Sequence, residues 1–232
     1  MRMMENENIL EIVEYLYKHA IGWEIETAII YSSEDKHRVG PKYDNVNTIE
    51  KMMNEGVIEK SVPRLEIRVK HSRFTSQSDF LPTYQVSYKK SKLAEYLIKY
   101  QTLKWGDLTI SPNGVFEYKN IKSSILFTID SQIRKFIAYL LFLGDASNST
   151  LCELIGIPIP LPDRYKTKSK EIIDKYIIRE QANRIKIIRS QAITELVDVY
   201  NLKREITSKM FKNRRGYGYY LIDYDVLESK SL

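Results

Sequence analysis

The sequence predicts an α+β chain, mostly helical, in which a mixed N-terminal domain precedes a basic helical half. Three observations predict it. Apolar residues recur every three or four positions at 7–20, 91–105, 123–144 and from about 167 to 215, the spacing of helices with one buried face. Alternation of apolar and charged residues is confined to short stretches, chiefly 57–70 and 83–89. Cationic side chains cluster late: residues 164–215 hold 15 Lys and Arg against 6 Asp and Glu, whereas residues 1–105 hold 16 against 15. With 232 residues and 43% hydrophobic content, the chain has material for one large core or two small ones.

Taken in order, ENILEIVEYLYKHA (7–20) sets Ile9, Ile12, Val13, Leu16 and Tyr17 at helical spacing. EIETAIIY (24–31) fits either a short helix or a strand, and SSEDKHRVGPKYDN is polar and turn-rich. A helix then starts at NTIEKMMNEG, with Asn47 as its N-cap, Glu50 three residues on and Gly56 as its stop. Residues 57–70 and 83–89 read as strands around the polar tip HSRFTSQSDFLP. In the first of them Leu65, Ile67 and Val69 face one way, and Arg64, Glu66, Arg68 and Lys70 the other. SKLAEYLIKYQTLKW (91–105) closes the domain as a helix with Leu93, Leu97 and Tyr100 on one face.

The stretch 106–122 reads as a connecting β-hairpin, DLTISPNGVFEYKN, whose Pro112-Asn113-Gly114 turn needs a residue tolerant of positive φ. Residues 123–232 form the helical domain. SSILFTIDSQIRKFIAYLLFLG is apolar and helical, NSTLCELIGIP is a short capped helix ended by three prolines, and the segment from Thr167 to about 215 is a long basic helical run.

The order helix, turn, helix, strand, polar loop, strand, helix resembles a winged-helix DNA-binding domain over residues 7–105. TIEKMMNEGVIEKS is similar to a recognition helix running into the first wing strand. YQVSYKKSKLAEYL is similar to the returning strand and closing helix. The resemblance implies duplex DNA as partner, a possible homodimer, and a regulator of transcription or a replication or partition factor of a mobile element. FLGDASNSTLCELIGIP ahead of the basic run faintly resembles a second helix-turn-helix.

Several residues then suit nucleic acid. Asn45, Asn47, Thr48 and Lys51 of the candidate recognition helix would reach base edges, flanked by Lys42, while Lys70 and Arg73 belong to the wing. In the basic run, Arg184, Lys186 and Arg189, and then Lys212, Arg214 and Arg215 beside the tyrosines of RRGYGYY, suit phosphate contact.

The hairpin carries an alternative. Asp107, Glu117 and Lys119 have the spacing of a magnesium-dependent nuclease, in which two carboxylates hold Mg2+ and the lysine orients water and offsets phosphorane charge. The same letters also describe an ordinary strand with a Glu-x-Lys ion pair.

Other chemistries find little support. A single Cys152 excludes an intramolecular disulfide and a cysteine-based zinc cluster, and the three histidines are scattered. No phosphate-binding loop, dinucleotide fingerprint or nucleophile elbow occurs. The N-terminus lacks the zones of a signal peptide, and FIAYLLFLG is too short to span a membrane, so the expected location is cytoplasmic.

Overall fold

The computed structural model describes residues 2–31, 46–60, 65–70, 78–215 and 217–222. It is α+β, about half helix with several small sheets. Two compact units divide the chain, Met1–Leu97 and Ile98–Leu232.

In the first unit, α1 (Arg2–His19) buries one stripe, Ile9, Ile12, Val13 and Leu16. The segment with two sequence readings is the strand β1 (Ile25–Tyr31), as its β-branched content favours. Helix α2 (Val46–Asn54) presses Ile49 and Met52 into the core, while Met53 stays half-buried. It begins one residue before Asn47, so the expected N-cap lies inside its first turn. It stops as expected at Gly56, whose φ is +68°. Gly56 N–H donates to the Met53 carbonyl and Val57 N–H to that of Met52, the paired bonds that close a helix end.

Two short strands follow, β2 (Glu59–Lys60) and β3 (Leu65–Lys70), and then the long β4 (Ser78–Lys89). β4 is the centre of an antiparallel sheet: β1 pairs along Thr83–Lys89 on one side, and β2 and β3 pair on the other. Val86 and Tyr88 point into the core, with Gln85 and Ser87 half-exposed between them. Where β4 meets α3 (Lys90–Tyr100), the Lys90 ammonium lies 4.8 Å from the Tyr17 ring and 5.3 Å from the Trp23 ring, and donates to the Ala20 carbonyl at 3.1 Å. Leu93, Ala94 and Leu97 are the buried face of α3.

The helix expected to run to 105 ends at Tyr100, because Leu103, Trp105 and their neighbours pair instead. β5 (Leu103–Trp105), β6 (Leu108–Ile110), β7 (Phe116–Tyr118) and β8 (Ile121–Lys122) form a four-stranded antiparallel meander in the second unit. The 106–122 hairpin is the middle of this sheet. Its turn is held by Gly114, at φ +79°, where an added Cβ would come within 2.6 Å of the Phe127 carbonyl oxygen. Phe127 N–H donates to the Gly114 carbonyl at 2.7 Å, so 123–131 spends its backbone polarity on the hairpin and is not helical. Helix α4 (Gln132–Leu143) begins only where Ser131 accepts the Arg134 N–H.

After α4 come β9 (Asp145–Ser147), α5 (Asn148–Ile155), the short α6 (Asp163–Lys166) and α7 (Lys170–Asp198). Ser147 caps α5, and Gly156 ends it in the left-handed conformation, ahead of the prolines. The basic helical run does not continue to 215. It breaks at Asn201, whose φ is +54°, resumes as α8 (Arg204–Met210), and ends in a hairpin of β10 (Phe211–Arg214) and β11 (Gly218–Leu221). β11 is central here, between β10 and β9. Gly218 permits this: a Cβ there would collide with the Ala146 carbonyl and sit 2.7 Å from Ser147 Cα. The core of this unit joins Phe136 and Leu140 of α4, Leu151 and Leu154 of α5, and Ile185, Ile188, Ala192 and Leu196 of α7. Phe136 also meets Phe211 and Tyr219 of the hairpin, with centroids 5.3 and 6.0 Å apart. Among the described residues no helix is long and apolar enough to cross a membrane.

Candidate nucleic-acid interface

In the first unit the candidate contacts among the described residues lie on α2 and at the end of the β3–β4 ladder where the chain passes from one strand to the other. Positions 47 and 51 share the helix face opposite Ile49 and Met52, and Thr48 flanks it. Lys51 is half-exposed on that face, with the exposed Glu50 beside it. Lys70 ends β3, opposite Ser78 in the last pair of the ladder. Lys42, Asn45 and Arg73 lie outside the described residues.

In the second unit α7 does two jobs along its length. Its buried residues run from Ile185 to Leu196; none of its residues from Lys170 to Arg184 is buried. At 29 residues the helix is about 43 Å long, so roughly half of it extends beyond the tightly packed core. Tyr176, stacked on Tyr165 of α6 with centroids 4.4 Å apart, braces that half. Arg184 is half-exposed and ion-paired with Glu180 one turn earlier, at 3.0 Å, and Lys186 is exposed. Beneath Arg184, burial pushes the Cys152 thiol up to about 11, with the guanidinium charge pulling the other way.

Arg189 takes a different role from its neighbours. Its Nε donates to the Phe211 carbonyl at 2.7 Å and its Nη2 to the Ser208 carbonyl at 2.8 Å. Its guanidinium also lies 5.7 Å from the centre of the Tyr219 ring. The side chain placed among the phosphate contacts by sequence is thus turned inward, holding the end of α8 and the root of the β10–β11 hairpin to α7. A bidentate, planar donor reaching two carbonyls is what a guanidinium supplies and an ammonium does not.

The hairpin itself carries Lys212, Arg214 and Arg215, all exposed. Arg214 lies 3.7 Å from Asp145, and its guanidinium 5.4 Å from the Tyr217 ring. Placing Lys212 and Arg214 on strand β10, with Arg215 just after it, corrects the helix expected through 215. It also brings them against α5, since Asn148 N–H donates to the Tyr217 carbonyl at 2.9 Å.

The acidic hairpin residues converge only in part. Thr109 pairs opposite Glu117, and Lys119 N–H donates to the Asp107 carbonyl at 3.3 Å. Asp107, Thr109, Glu117 and Lys119 line an open hollow of about 440 Å3 with Lys104 and Asn120. Glu117 is turned toward Lys122 on the next strand, 3.9 Å away. Lys119 does not continue the strand: at φ +48° it forms, with Asn120, the tight turn into β8. Among the described residues no group of three or more His, Cys, Asp or Glu gathers as metal ligands would.

One arrangement left no trace in the local sequence. Arg134 of α4 and Glu195 of α7 form a largely buried ion pair at 2.5 Å beside an open cleft of about 540 Å3. The Glu195 hydrogen bond raises the Arg134 pKa above its ordinary value. The partners are far apart in the chain, and each reads alone as a surface charge. Comparison with known proteins gives no match: no family model, no curated protein and no solved structure matches this chain.

Proposed function

We propose that this chain is a non-catalytic duplex-DNA-binding protein, a regulator of transcription or a replication or partition factor of a mobile element. The observation that carries the reading is the threading of the first unit. A helix, a strand and a second helix lead through a tight glycine stop into a hairpin, and the last strand takes the central place between the first strand and the hairpin's outgoing strand. That strand order supports a winged-helix reading, whose remaining helix would fall within 32–45, outside the described residues. Such a domain would present α2, with Asn47, Thr48 and Lys51, to a major groove and the β3–β4 turn to the flanking backbone. The excess of cations in 164–215 supports the same partner.

The test is a mobility-shift titration on a mixed-sequence duplex across a salt series. Binding that weakens steeply with salt is the expected result. Absence of a shift even at about 50 mM salt would sink the reading. A second reading, a magnesium-dependent nuclease, draws on the hollow that gathers Asp107, Glu117 and Lys119. Plasmid nicking with Mg2+ that disappears in Glu117→Ala would put it first.

A further inference from the structure

The second unit shares a sheet order with the first, in which the strand that comes last in the chain lies in the middle. Helix α4 leads to the short strand β9, helices α5 to α8 follow, and a hairpin returns with its last strand, β11, in the central place between β9 and β10. In the first unit β4 takes that place between β1 and the β2 and β3 strands.

Three connections make one continuous surface of the hairpin turn, the start of α5 and the middle of α7. Asn148 donates to the Tyr217 carbonyl, Gln181 Nε2 donates to Ser149 Oγ at 3.4 Å, and Arg189 ties α7 to the hairpin root. Arg184, Lys186, Lys212, Arg214 and Arg215 carry the positive charge of this region, offset in part by Glu180 and Asp145. The backbone of Lys212 and Arg214 is paired in the β10–β11 ladder, and both side chains are exposed, as is that of Arg215. Tyr217 is 45% exposed, but the Arg214 guanidinium already lies near its ring. Tyr219, two residues on, is buried. A single partly covered ring is a poor platform for successive unpaired bases, which need several aromatics in a row. An exposed basic hairpin beside an exposed helix fits a backbone and the groove next to it.

We infer that the second unit makes a second duplex-DNA contact through this basic surface. The β10–β11 turn lies along a phosphate backbone, and the exposed middle of α7 faces the adjoining groove. The inference rests on the reading that the chain binds duplex DNA, and it adds that each chain makes two such contacts.

The experiment compares salt dependence of binding to a mixed-sequence duplex of about 30 base pairs for the full chain and its variants. Each lost phosphate contact lowers the slope of log K against log salt by about 0.9. Lys212→Ala/Arg214→Ala/Arg215→Ala is expected to lower it by about 2 to 3 and weaken binding at least tenfold at moderate salt. Arg214→Lys/Arg215→Lys should keep the slope, which separates charge from fold, and circular dichroism should show all the variants folded. Combined with Asn47→Ala/Lys51→Ala in the first unit, the losses should multiply, as for separate contacts. If the triple variant keeps the wild-type slope while the first-unit variant lowers it, DNA binding stands and the second contact falls. If wild type does not bind the duplex at all, both fall. If the triple variant loses affinity for a single-stranded oligonucleotide and not for the duplex, the duplex assignment is overturned.

Discussion

The central strand of the first unit, β4, runs 12 residues and pairs with three others, whereas β11, in the same place in the second unit, runs 4. The helices ahead of the hairpin show the reverse, 9 residues in α2 against 29 in α7 with the 7-residue α8 after it. One sheet order is thus stabilised in two ways. In the first unit a long ladder of backbone hydrogen bonds carries the hairpin. In the second, the hairpin is too short to hold itself, and side chains fasten it to helices: Phe136 beneath it, and Arg189 at its root. Sheet order and the means of holding it are separable, and the second unit's dependence on a few side chains makes it the easier to break.

The largest effect tests that difference in the core. Phe136→Ala removes a fully buried ring shared by α4 and the hairpin, and should cost about 3–5 kcal/mol, enough to unfold the second unit. Met52→Ala should cost the first unit about 2–5 kcal/mol. Amide hydrogen exchange should show protection lost in 98–222 for the first variant and in 2–97 for the second. Loss across both units in either variant would mean that they do not fold separately.

A smaller effect is expected at Arg189. Arg189→Ala leaves two carbonyls without their charged donor and should destabilise the second unit by about 2 kcal/mol. Arg189→Lys should recover little of this, since one ammonium cannot span both acceptors in the same geometry. The salt slope for DNA should be almost unchanged in either variant when the protein is folded. A slope lowered as much as by loss of Arg214 and Arg215 would put Arg189 back among the phosphate contacts.

The effect that vanishes at neutral pH is a pH dependence at Cys152. The thiol titrates at about 11 in the folded chain against an ordinary 9.0, so it stays protonated where the unfolded chain's thiol ionises. The raised value means its contribution to stability is complete below 9.0 and is lost as pH rises from there through about 11. Denaturant melts of wild type and Cys152→Ala should therefore converge in their pH dependence below that window and diverge within it. At pH 8 the native thiol should react with a disulfide reagent far more slowly than the unfolded one.

How much of this was legible in the sequence depends on whether the cause was local. The stripe of α1, the Gly56 stop and the Ser147-capped α5 all follow from residues within a turn of one another. The alternating strands were legible for the same reason. The helical readings failed at 101–105, 123–131 and 211–215, where the deciding partner is distant. Leu103–Trp105 pairs with β6, Phe127 bonds the hairpin turn, and Phe211–Arg214 pairs with a strand beyond a turn of its own. β9 is three residues long and exists through β11, so no periodicity could reveal it. The candidate contacts divide likewise. Net charge located the basic region, but only tertiary structure separates Lys212, Arg214 and Arg215, which face out, from Arg189, which faces in.

Trp23 and Trp105 are the only tryptophans in the chain, and they fall one to each unit. Trp23 is half-exposed beside the Lys90 ammonium, and Trp105 is buried in the meander. Two indoles in such different surroundings emit at different wavelengths, the buried one to the blue. Replacing either with phenylalanine leaves a single optical reporter, so the chain already contains an intrinsic probe for each of its halves.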